Sequence, residues 1–232
     1  LFGDKMKRVL IATASQTPYV SAFFSKALAE TFAEGNKKDI EFLFYWSPDE
    51  LGFKNDAVEM AIKEQLDSVV FIKPHIQWVA SDLVSIVENE SLIEGVPTKN
   101  HYSPTHSYKA LLNNPSEDGP ISAKIMDLDM VKIKVEVFER IRDFVITVNL
   151  QDKEVIEQVP LYFYATTNEN GPVTQDVNFC LAVEKAEIPI EVNMDMAIWE
   201  HVGMPTRTAI GDDIRASAVH KGFREAEEAE RA

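Results

Sequence analysis

The chain has 232 residues, 23 of them basic and 38 acidic, for a net charge of −15. A duplex-binding surface needs clustered lysine and arginine to displace counterions from phosphates. No basic stripe is present, so duplex nucleic acid is an unsuitable partner. The 45% hydrophobic content supports a buried core, the single cysteine rules out an intrachain disulfide, and no apolar run approaches a membrane span. A cytoplasmic, globular protein is expected, with a native start at Met6 and a short upstream remnant, Leu1 to Lys5.

In chain order, Arg8 to Thr13 reads as a first strand, and Tyr19 to Glu34 as a helix stopping before Gly35. Ile40 to Trp46 is a second strand and Asp56 to Gln65 a second helix. Val69 to Ile72 is a short, dense apolar run ended by Pro74, as a strand buried on both faces would be. Ser81 caps a short helix to Val87, and Leu92 to Val96 is a further strand. This alternation predicts an α/β fold with a mostly parallel central sheet flanked by helices. A polar, proline-bearing loop follows from Pro97 to Pro120. The register then places Asp127 and Asp129 inside a strand running to Lys134. Val135 to Ile141 is helical, Phe144 to Leu150 and Leu161 to Tyr164 are strands, and Thr174 to Glu187 is a helix. Ile190 to Asn193 and Ala197 to Trp199 are late strands. One domain over residues 6–205 is expected. Beyond it, an acidic helical extension over 206–232 carries a thin apolar seam suited to packing on a partner or a second copy.

The stretch that carries most chemistry is Lys73-Pro74-His75, at the carboxyl end of the central strand, where open α/β sheets bind ligands. Asp176 stands in the first turn of its helix, where an acid serves equally as helix cap or as general base. His201 reads equally as a core histidine or a ligand-type side chain. Asp127-Leu-Asp129 has the look of a metal pair, although oxygen ligands are common on surfaces. Trp46, Trp78 and Trp199 could stack on sugars, but aromatic residues mostly fill cores. Cys180 reads as a small buried hydrophobe.

Three pieces recur together. They are Ser68 to His75 with Ile76 and Trp78, then Leu128 to Phe138, then Gly171 to Ala182 with Ile190 to Asn193 and His201-Val202-Gly203. Their order and spacing resemble the GT-A family of nucleotide-sugar glycosyltransferases, especially small bacterial and phage-type members. The resemblance implies a nucleotide-sugar donor, an acceptor the sequence does not name, and Asp176 as the base. It implies donor contacts from Thr13, Asn55, Lys73, His75 and His201. It also implies an Asp-x-Asp metal site at the end of the central strand, and there the chain departs from the family. Lys73-Pro74-His75 stands in that place, Gln175-Asp176 replaces the acidic pair, Lys54-Asn55 replaces an Arg-Asn pair, and Asp129 aligns with a glycine. An ammonium beside a dication repels it, so Mg²⁺ and Mn²⁺ are not expected there. His75 and His201 alone would make a weak site for a softer ion. Two functions follow: metal-independent sugar transfer, or a catalytically inactive relative that binds or assembles, with nucleotidyl transfer on a similar fold a distant third.

Overall fold

The computed structural model describes residues 6–16, 20–98, 110–113, 121–152, 155–169, 171–196, 198–202 and 204–208, with the backbone alone for 113, 150–157 where described, and 201–208. The C-terminal extension expected over 206–232 lies outside these residues, apart from the backbone of 206–208.

The elements run β1 (Lys7–Ala14), α1 (Ala22–Asn36), β2 (Ile40–Ser47), α2 (Phe53–Lys63), β3 (Ser68–Ile72), β4 (Ile76–Trp78), α3 (Ala80–Glu88) and β5 (Ile93–Gly95). They continue with β6 (Ala110–Asn113), β7 (Ser122–Met126), β8 (Met130–Lys134), α4 (Glu136–Ile141), β9 (Ile146–Asp152) and β10 (Val155–Leu161). The last are β11 (Thr166–Asn168), β12 (Gly171–Val173), α5 (Gln175–Lys185), β13 (Ile190–Val192), β14 (Ile198–Val202) and β15 (Met204–Thr208).

An eight-stranded sheet with the order β2-β1-β3-β8-β5-β13-β7-β6 forms the centre. Following the pairings across it, all strands except β8 and β7 run in one direction, so the fold is α/β with a mostly parallel sheet. The apolar run of β3 is explained by its surroundings. Val69 and Phe71 pack on one face with Ala57, Val58 and Ala61 of α2, while Val70 and Ile72 pack on the other with Phe24 and Ala27 of α1. Both faces are covered, so no polar alternation survives. Burying each such side chain contributes roughly 1.5–3 kcal/mol.

Several expectations need correction. Helix α1 begins at Ala22, with the Ser21 hydroxyl accepting from the Phe24 amide at 3.0 Å, and it runs through Gly35 to Asn36. Gly35 does not stop the helix. It makes room for Phe42, because a Cβ there would lie 2.5 Å from the ring. Helix α2 starts earlier than the apolar spacing suggested, at Phe53. Ser81 lies inside the first turn of α3, and Val79 holds the cap position. Asp127 and Asp129 are not inside a strand: they occupy the turn between β7 and β8. The strand read at Leu161 to Tyr164 is a turn from Tyr162 onward, because β10 ends at Leu161. The polar stretch after Pro97 contains an edge strand, β6, and His75 is followed at once by β4, which joins β14 and β15 in a separate three-stranded sheet.

Candidate functional site

A cavity of about 470 Å³ opens at the carboxyl ends of β1 and β3. Its floor is Ala14, Phe71 and Ile72, and its walls include Glu50, Phe53, Lys54, Lys73, His75, Leu128, Gln175 and Asp176. The parallel strands β1 and β3 end side by side, and the connections leaving them enclose the space, which is the usual ligand position in an open α/β sheet. The antiparallel strand β8 completes one side. It pairs Met130 with Ile72, so the turn before β8 lands beside Lys73.

Two ion pairs organise the cavity. The first joins Lys73 and Asp129: Lys73 Nζ lies 2.5 Å from Asp129 Oδ1, and the Lys73 amide donates to the Asp129 carbonyl at 2.9 Å. Asp129 Oδ2 accepts from the Thr98 hydroxyl at 3.0 Å. The Asp129 side chain is 2% exposed, whereas that of Lys73 is 46% exposed. A buried carboxylate therefore holds an ammonium that stands at the cavity wall.

The second pair joins Lys54 and Asp176, with side chains 11% and 16% exposed. Lys54 Nζ donates to Asp176 Oδ1, and the Leu128 amide donates to Asp176 Oδ2 at 3.0 Å. The ammonium also lies over the rings of Phe163 and Phe71, 5.4 Å and 5.9 Å from their centroids. Asp176 thus ties α5 to α2 and to the turn before β8. Each of its oxygens accepts one bond from the scaffold.

Lys73, His75 and Asp176 line this one cavity. His201 is placed only by its backbone, in β14 opposite Pro205, one residue beyond the pairing of Glu200 with Ile76. Asn55 faces elsewhere, and its assignment to the donor is corrected. Its Oδ1 accepts from the amides of Tyr162 and Phe163 at 2.9 Å and 3.1 Å, and its Nδ2 donates to the Phe163 carbonyl at 2.7 Å. It is a clamp that seats Phe163 against Phe179, ring centroids 4.8 Å apart. Thr13 is also off the cavity. By strand alternation it shares the α1 face with Val9 and Ile11, and its neighbour Ala14 lines the cavity instead.

Trp78 is core, its Nε1 donating to the Thr31 hydroxyl at 2.9 Å, and neither Trp46 nor Trp199 is among the lining residues. Cys180 is fully buried, and burial pushes its thiol up to about 11. Sequence reasoning missed the partners of the two lysines, and it missed Glu50. The Lys73 partner was visible only as half of an acidic pair assigned to a strand.

No family model matches the sequence, and no curated protein matches it. Among solved structures the chain is similar to A197 from STIV, at 12% identity and a TM-score of 0.47, over 84% of this chain and 86% of that one. It is similar to CMP:2-keto-3-deoxy-manno-octonic acid synthetase complexed with CTP, at 10% identity and a TM-score of 0.47, over 93% and 99%. A third is the inositol-1-phosphate CTP transferase from T. maritima, at 12% identity and a TM-score of 0.42, over 82% and 86%. These are distant likenesses, and the functional reading rests on the cavity.

Proposed function

We propose that the cavity binds the diphosphate of a nucleotide sugar and that the chain transfers the sugar to an acceptor without a divalent ion. The observation that carries this reading is the Lys73 ammonium, held at the carboxyl end of β3 by a buried carboxylate while its side chain lines the cavity. An ammonium has three N–H groups. The contact with Asp129 is an ion pair, so N–H groups remain for phosphate oxygens, and a cation fixed before the ligand arrives stabilises charge on a leaving diphosphate. His75 lines the same cavity beside it.

The residues at this position do not fit Mg²⁺ or Mn²⁺. Both ions want oxygen ligands, and the Asp129 oxygens are already engaged by Lys73 and Thr98.

A second reading has its own support. Because both Asp176 oxygens are engaged, the residue the family resemblance names as base is tied into the scaffold, as in a relative that binds a nucleotide sugar without turning it over. Thermal-shift measurements in EDTA with UDP, GDP, ADP and their sugar conjugates test the common part. A ligand that binds only the native state adds about 2.7 kcal/mol at a hundred times its Kd. The expected result is a raised Tm with at least one nucleotide, abolished by Lys73→Ala. No shift with any of them, or a shift that survives Lys73→Ala, sinks the proposal. Release of free sugar then separates the transferase from the silent binder.

A further inference from the structure

Transfer to a hydroxyl needs a group to take its proton, and Asp176 is committed to Lys54 and the Leu128 amide. Among the described residues, one other carboxylate lines the cavity, Glu50. Its side chain is exposed and, among the described residues, takes no hydrogen bond or ion pair. Its backbone, by contrast, sits in a braced turn. The Asp49 amide donates to the Ser47 hydroxyl at 3.1 Å, and the Leu51 amide donates to Asp49 Oδ1 at 2.9 Å. The Phe53 amide donates to the Asp49 carbonyl at 3.2 Å as α2 begins. From across the cavity, Gln175 Nε2 donates to the Leu51 carbonyl at 2.9 Å. This last bond fastens the Glu50 turn to the first turn of α5, one residue from Asp176. The braced turn therefore presents an exposed carboxylate in the same cavity lining as Lys54, Lys73 and His75.

We infer that Glu50 is the catalytic base for the attacking hydroxyl, an inference that rests on the transferase reading above. In the step, the hydroxyl proton passes to the Glu50 carboxylate. The hydroxyl oxygen forms a bond to the anomeric carbon of the donor sugar. The bond from that carbon to the diphosphate oxygen breaks, and its electron pair leaves with the diphosphate, which accepts hydrogen bonds from Lys73. Attack and departure on opposite faces invert the anomeric centre. Water can replace the acceptor, giving free sugar, so the inference can be tested before any acceptor is identified.

The experiment measures free sugar released from UDP-, GDP- and ADP-linked sugars by the full chain and by Glu50→Gln, alongside the thermal shift produced by the parent nucleoside diphosphate. General-base removal costs about 10²–10⁴-fold in rate. The expected outcome is at least a 100-fold loss of sugar release in Glu50→Gln, with the nucleotide-induced shift unchanged. Release within a few-fold of the parent chain overturns the inference. So does nucleotide binding by the parent chain without release from any donor, an outcome that leaves the binding reading standing. Absence of any nucleotide-induced shift removes the binding reading as well.

Discussion

Lys132 gives the most quantitative test of the fold. It lies in the middle of β8, fully buried, with Nζ donating to the Asn89 carbonyl at 3.2 Å, to the Ser91 carbonyl, and to the Ser91 hydroxyl at 3.3 Å. Burial pulls its pKa down from 10.5 to about 8, the neighbouring Glu94 carboxylate opposing the shift. In the unfolded chain the amine keeps its proton up to the ordinary lysine range. Between these limits the unfolded state binds a proton that the folded state lacks, so stability rises with pH across the window and falls back as pH drops through about 8. Integrating this difference from about pH 7 to about pH 9 gives a gain on the order of 1 kcal/mol from Lys132. Cys180 acts the other way: its thiol is raised from 9.0 to about 11, which removes a smaller amount over the same interval. The perturbation is Lys132→Met, which keeps the apolar stem and deletes the charge. The assay is urea unfolding of both proteins at the two pH values. Whatever the variant does to absolute stability, its pH response should differ from the parent's by about 1 kcal/mol, with the parent gaining. Parallel responses in the two proteins would refute the claim that this amine is buried and charged at neutral pH.

Three further outcomes follow from the same contacts. Asp176→Asn strands the partly buried Lys54 ammonium and should cost about 3 kcal/mol in chemical denaturation, near the lower end for breaking a buried pair; a loss under about 1 kcal/mol would show the pair to be solvent-screened. Asn55→Ala leaves the Tyr162 and Phe163 amides without their acceptor and should cost about 1–3 kcal/mol, with faster hydrogen exchange at those amides as the local readout. Unchanged exchange there would deny the clamp. Gly35→Ala should destabilise by about 1–3 kcal/mol through overlap with Phe42, although alanine is the better helix former; a gain in Tm would mean the ring moves aside freely.

Much of the α/β scaffold was legible because it follows from local pattern. A run such as Val69 to Ile72 suits a strand between two covered faces, although periodicity alone fits a buried helix turn as well, and the proline behind it ends the ladder. Local pattern fails where partners come from afar. Asn55 carries no sequence mark of the Tyr162 turn it holds, more than a hundred positions away. The tight fit of Gly35 against Phe42 is likewise a tertiary fact, so a helix-stop reading of that glycine was natural and incorrect.

The cavity shows the same division in its electrostatics. Read along the chain, Lys73 in place of a carboxylate pair suggests a bare cation substituting for a metal. In the fold, the antiparallel strand β8 is inserted beside β3, and the turn leading into it delivers Asp129 to Lys73 and the Leu128 amide to Asp176. The lysine therefore arrives already neutralised by a buried acid. Two consequences can be weighed against each other. If an incoming diphosphate drew the ammonium away, Asp129 would be left buried without its cation, at a cost of about 3–5 kcal/mol. If the ammonium stays, it keeps donors to spare at a fixed point, and the diphosphate gains less Coulomb energy but no reorganisation is needed. The first cost exceeds what a single exposed phosphate contact returns, so Asp129 acts as the anchor of Lys73 and not as its competitor. Its effect on a bound diphosphate would pass through the position of one nitrogen, a relation written in the pairing of β3 with β8 and absent from either segment read alone.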